Sequence, residues 1–182
     1  KQLKARFEKK RSQLKTESQK VLNRLTKPAE VSDEAKAVYY SSWINVAIRI
    51  LTSIEGFQTA PQIAEYLQLP LKLVVETLEF LVRNQLCRLT KDGYMTGEGL
   101  IFISRESPYI NNHHRNWRQK AQERMSLRKP GDLFITFPAG LSQADAEGVR
   151  NLLLTTFESV AKVVKPSPSE KTYCLNMDWF EW

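Results

Sequence analysis

Two histidines and two cysteines in 182 residues leave this chain poor in the side chains that hold transition metals or attack substrates. The histidines are neighbours, His113 and His114. Adjacent helix positions point about 100° apart, so the pair cannot close on one ion from a single helix. No cysteine or acidic ligand stands at zinc spacing either, and the two read as packing or surface residues. Cys87 and Cys174 lie far apart in strand-like surroundings and read as buried, reduced thiols of a cytoplasmic protein. A Gly-rich phosphate loop, GxSxG, HExxH and Cys-x-x-Cys are all missing. Asp178 and Glu181 flank aromatic residues with no histidine or lysine at a supporting position. The expectation is a protein that is not an enzyme and takes no cofactor or metal. No apolar run approaches the roughly 18 residues of a membrane helix, and no signal peptide is recognisable, so a soluble chain without a membrane partner is expected. The sequence starts at Lys1 rather than methionine and reads as a fragment of a longer protein.

What is present is an apolar content of 42%, enough for one sizeable core or two small ones, and a net charge of +7 that is unevenly spread. Residues 1–28 hold ten Lys or Arg against two Glu, and residues 104–130 hold seven against two acids. Residues 29–103 hold six against nine, and residues 131–182 hold four against seven. Two basic stretches thus flank a slightly acidic centre.

That centre, Tyr39 to Gly99, organises the chain. Trp43, Ile44, Ala47, Ile48, Leu51 and Ile54 recur at the helical period, which predicts a central helix that Gly56 stops. Thr59 follows as an N-cap with Gln62 three residues on and Pro61 in the first turn, opening a short helix that buries Ile63, Ala64 and Leu67. After Gln68-Leu69-Pro70 a third helix carries Val74, Thr77, Leu78 and Leu81 inward and ends near Asn84. Leu86 to Leu89 and Tyr94 to Thr96 then form a hairpin with Asp92-Gly93 as its turn pair. Helix, helix-turn-helix and hairpin is the winged-helix order, expected to collapse around Trp43 and Leu78.

Outside the centre, Lys1 to Leu25 reads as a charged helix with a thin apolar seam at Leu3, Phe7, Leu14, Val21 and Leu25. Ser32, Asp33 and Glu34 start another helix, acidic in its first turn. Ile110 to Met125 reads as a basic helix with Trp117 and Ala121 on one face. Beyond Lys129-Pro130-Gly131, alternation predicts a strand over 132–137. A helix capped by Ser142 is expected to bury Val149, Leu152, Leu153, Phe157, Val160 and Val164, and a last strand carries Tyr173, Leu175, Met177 and Trp179. Two strands alone leave bare edges, which another strand of this chain or the same element of a second copy must cover.

Several short motifs carry a family resemblance: Tyr39-Tyr40-Ser41-Ser42-Trp43 leading into Ala47-Ile48-Arg49, then Ile63-Ala64-Glu65-Tyr66-Leu67, His113 with Ala121, Asp132 to Thr136, and Tyr173-Cys174-Leu175-Asn176 with Phe180. Through them the chain resembles, over nearly its whole length, the Bdellovibrio and Fibrobacter family of conserved hypothetical proteins, whose members end in a domain of unknown function. The resemblance implies a winged-helix, regulator-like bacterial protein, often with a further helix-turn-helix upstream, and no defined activity. Pro70 stands where the family more often has a Ser or Thr cap, and Glu181-Trp182 where it tends to have Pro-Leu.

The fold expected is α+β and mainly α. A basic N-terminal helix spans 1–30, a central winged helix-turn-helix 31–103, a connector with a basic helix 104–130, and a strand-helix-strand domain 131–182. The outward face of the third helix, Leu71, Lys72, Val75, Glu76 and Glu79, is a poor reading head, because glutamates repel a polyanion. DNA contacts are therefore expected mainly at phosphates. They fall on Lys4, Arg6, Lys9, Lys10 and Arg11 of the N-terminal arm, Lys72, the wing residues Arg88 and Lys91, and Arg115, Arg118, Lys120 and Arg124. The function expected is a transcription-regulator-like homodimer that binds double-stranded DNA in the cytoplasm. The alternative is a protein-interaction or dimerisation module that never binds DNA and presents Leu71 and Val75 to a protein partner.

Overall fold

Residues 31–97 and 107–182 are those that the computed structural model describes. The predicted N-terminal helix, with Lys4, Arg6, Lys9, Lys10 and Arg11, lies outside the described residues. Within them the chain is α+β and mostly helical, with six helices and one two-stranded antiparallel sheet.

Ser32 opens helix α1 (Asp33–Ser41), its hydroxyl accepting the Ala35 N–H at 3.2 Å, with Asp33 and Glu34 in the first turn. Ser42 sits in extended backbone and caps α2 (Trp43–Leu51) in the same way, through the Ile44 N–H. Helix α2 ends at Leu51, several residues before Gly56. The Thr52 and Ser53 hydroxyls turn back onto the Arg49 and Ile50 carbonyls, both at 2.7 Å, and compete with the helical ladder there. Gly56, at φ +89°, lies in the turn that follows. In α3 (Ala60–Leu67) the Gln62 side-chain oxygen accepts both the Thr59 N–H and its hydroxyl, so the predicted capping box is present. Gln68, left-handed at φ +53°, reverses the chain into α4 (Leu71–Arg83).

Val74, Thr77, Leu78 and Leu81 are the buried residues of α4, as their spacing predicts. With Ile48, Ile63 and Leu86 they form a core from which water is fully excluded at Leu78 and Leu81. Each such side chain contributes about 1.5–3 kcal/mol by leaving water. Trp43 is not at that centre. It is half-buried at the edge, where its ring meets Trp117 at 6.5 Å.

Strands β1 (Cys87–Thr90) and β2 (Gly93–Thr96) pair with Cys87 opposite Thr96 and Thr90 opposite Gly93. The loop is therefore Lys91-Asp92, and Gly93 is the first residue of β2 rather than a turn residue. Its φ is +113°, and a Cβ there would lie 2.3 Å from the Gln58 carbonyl oxygen. That close approach lets Tyr94 donate its N–H to Gln58 at 2.8 Å, tying the hairpin to the segment between α2 and α3. Behind it, the Thr96 hydroxyl donates to the Arg49 carbonyl at 3.1 Å and lies 3.0 Å from the Thr52 hydroxyl.

Helix α5 (Ile110–Ser126) packs against α1 and α2. A tight turn follows, with Pro130 second, Gly131 third at φ +94°, and the Asp132 N–H closing onto the Lys129 carbonyl at 3.0 Å. Helix α6 (Gln143–Val164) is capped by Ser142, which accepts the Asp145 N–H.

Three expectations for 131–182 are corrected. The predicted strands at 132–137 and 173–179 are absent, since β1–β2 is the one sheet among the described residues. A strand exists only when a neighbour takes up its backbone groups, and neither segment has one among the described residues. Nor does α6 bury Val149, Leu152, Leu153, Phe157, Val160 or Val164; no residue of that helix is buried, because none of the described residues covers its apolar side. Cys87 is buried, but Cys174 is exposed. No helix among the described residues is long and apolar enough to cross a membrane.

Candidate nucleic-acid interface

Helix α5 is held by one face, and that anchoring decides where its cations stand. Toward α1 and α2 it presents His113, Asn116, Trp117 and Lys120 at helical spacing. His113 meets the Tyr40 ring edge-on at 5.3 Å, and Asn116 donates to the Tyr40 carbonyl at 3.0 Å. The Lys120 ammonium lies 4.2 Å from the centre of the Trp43 ring, a cation–π contact, while also pairing with Glu123 at 3.0 Å. Burial holds the His113 imidazole below its ordinary pKa, helped by the neighbouring His114, so it packs as the neutral ring. Burial likewise pushes the Tyr40 hydroxyl up to about 12, assisted by Tyr39 and opposed by Arg49.

The opposite face is a shallow trough lined by Asn111, Arg115, Arg118, Gln119 and Gln122. Every lining side chain carries an N–H donor, which is the chemistry that phosphate oxygens accept. Arg115 is exposed and hydrogen-bonds only loosely, to Asn112 at 3.4 Å. Arg118 is engaged: it donates to the Asp178 carboxylate through Nε at 2.7 Å and also through its NH2 group, and to the His114 carbonyl. Arg124 donates to Asp132 at 2.9 Å. The Lys129 N–H, at 2.7 Å, and then the Arg124 guanidinium hold the Asp132 carboxyl below the usual range. Two of the four predicted α5 cations are thus met by carboxylates from either end of the acidic segment 131–182.

Elsewhere the predicted positions separate. Lys72 projects into solvent at the start of α4 and faces Glu76 at 3.9 Å. Leu71 beside it is 49% exposed, whereas Val75 is half-buried and packs on the core. Arg88 and Lys91 are exposed on the hairpin. The structure therefore gathers Arg115, Arg118, Lys120 and Arg124 on one helix but leaves Lys72 and the hairpin pair on other elements. Asp132 and Asp178, the partners of Arg124 and Arg118, are not among the site residues to which the sequence points. The Lys-Pro-Gly-Asp turn was a local signal for Asp132; Asp178, sixty positions from Arg118, had none. Among the described residues no group of three His, Cys, Asp or Glu is placed to hold a metal ion.

A family model described as a domain of unknown function, DUF4423, matches residues 15–181. No curated protein and no solved structure matches the chain.

Proposed function

The chain belongs to the DUF4423 family, whose description names no activity, and we propose that it is a transcription-regulator-like protein that binds double-stranded DNA as a dimer. In this reading α1 to β2 form a winged helix-turn-helix. Its support is the order of α2, α3 and α4 followed by the hairpin, with the Gln58–Tyr94 bond tying the inter-helix segment to β2. The free Cys87 and Cys174 thiols accord with a cytoplasmic setting.

The observation that carries the reading is the donor-lined trough of α5, with Arg115 open to solvent and Arg118 beside it. Affinity comes from phosphate contacts there, from Arg88 and Lys91 on the wing, and from the basic stretch 1–28. Base reading by α4 contributes little, because Lys72 is shared with Glu76 and Leu71 offers no hydrogen bond. The exposed Leu71 instead favours a second reading, a winged module that docks on another protein.

A gel-shift titration at low salt with two unrelated duplexes tests the proposal. Both are expected to shift at similar protein concentrations, and Arg115→Glu is expected to weaken both by about tenfold, as loss and reversal of one phosphate contact would. Failure to retard either duplex would overturn the DNA reading and leave the protein-docking one.

A further inference from the structure

Helix α6 carries an apolar stripe at the helical period, and none of its 22 residues is buried. Leu152 is 68% exposed, Phe157 55% and Val163 73%, and Phe137 and Tyr173 in the flanking segments are above 80%. Of the twenty-four large hydrophobic side chains exposed among the described residues, sixteen lie in 131–182. If each leaves ~100 Å² open, half of what a large side chain offers, the total is on the order of 1,600 Å². That total is spread over 131–182; the six on α6 itself account for on the order of 600 Å², which with a polar rim approaches the ~800 Å² per partner of a stable dimer.

We infer that α6 is the surface on which a second copy of this chain docks, the two helices running antiparallel about a two-fold axis between Leu154 and Thr155. This names the contact behind the dimer proposed above and rests on that reading. The stripe itself selects the occupant, because it is nearly self-complementary. Counted outward from the midpoint, Leu152 meets Phe157, Val149 meets Val160 and Ala146 meets Val163. A two-fold contact needs this symmetry, since every contact occurs twice with the residues exchanged. Direction follows from charge. Asp145 and Glu147 stand near the start of the helix, and Lys162 and Lys165 at its end. Antiparallel pairing sets each acidic end beside a basic one, and parallel pairing would set like beside like.

The test uses the full chain carrying Cys174→Ser, which leaves buried Cys87 as the native thiol. Val149→Cys and Val160→Cys are made separately, one with a size tag. In the antiparallel register Val149 faces the partner's Val160 but stands about 16 Å along the axis from its own counterpart, beyond the ~7 Å Cα limit of a disulfide. Under mild oxidation the mixture is expected to give a mixed disulfide dimer and neither variant alone to give one. Sedimentation of the parent is expected at twice the 21.1 kDa chain mass. Leu152→Glu with Phe157→Glu is expected to halve that mass while the helical circular dichroism is kept. A monomeric parent overturns the inference, and is what cover by residues 1–30 of the same chain would give. So does a disulfide formed by Val149→Cys alone, or a dimer that survives the double Glu substitution. A monomer that still retards DNA would sink this inference and spare the DNA reading; a cross-linked dimer that retards no duplex would do the reverse.

Discussion

Arg118 and Asp178 stand sixty positions apart and meet through one carboxylate oxygen, which accepts from the guanidinium Nε at 2.7 Å and from its NH2 group as well. Arg124 likewise donates through its Nε to Asp132 at 2.9 Å, at the other end of the acidic segment. Each carboxylate occupies the place where a phosphate oxygen would be recognised, so on the proposed reading the tail and DNA compete for the same two cations.

Removing one competitor is expected to help the other. Asp178→Asn should tighten duplex binding roughly threefold or more at low salt, because it frees Arg118 and deletes a negative charge beside the trough. Its cost in stability should stay below about 1 kcal/mol, as the pair is partly exposed. Fluorescence anisotropy with a labelled duplex reads the effect, and unchanged or weaker binding would contradict the competition.

Gly93 and Gly56 both have positive φ, but only Gly93 faces a carbonyl oxygen at 2.3 Å from where a Cβ would sit; Gly56 has open space. Gly93→Ala is therefore expected to cost about 3 kcal/mol or more, from strain together with loss of the Tyr94–Gln58 bond. Gly56→Ala should cost about 1–2 kcal/mol, from strain alone. Urea denaturation of the two variants checks the difference, and equal losses would show that the hairpin is not seated on Gln58.

The lowered His113 pKa has a sign that can be worked through. The ring is harder to protonate folded than unfolded, so its neutral packing on Tyr40 is fully favourable above the unfolded value of about 6.5. As pH falls from there toward the folded value, the unfolded chain takes up the proton first and stability declines. Melting temperature should drop between pH 7.5 and 5.5, and His113→Phe should flatten that part of the profile. An equal drop in the variant would assign the loss to other groups.

Much of the fold around α4 was legible because its signals are local. The Thr59–Gln62 box, the inward face Val74, Thr77, Leu78 and Leu81, and the hairpin near Gly93 each depend on neighbours within a few residues or on one helical period. The C-terminal segment was not. Alternation in 132–137 says which side chains would share a face if a neighbouring strand were present, and nothing in the segment reports whether one is. Spacing identifies the apolar stripe of α6 but not its burial, since period gives the face and not the cover. At the site, the α5 cations were visible as a basic run, but which of them remain open depends on Asp132 and Asp178, and the second of these is set only by tertiary folding. Trp43 has the size and spacing of a core residue, yet its ring serves as a platform for Trp117 and Lys120.

The salt dependence of duplex binding by the full chain tests phosphate recognition most directly. With four or more phosphate contacts, affinity should fall roughly 10²-fold or more between about 50 and 200 mM salt, equally for two unrelated sequences. Affinity that barely changes over that range, or that survives for one sequence alone, would contradict it.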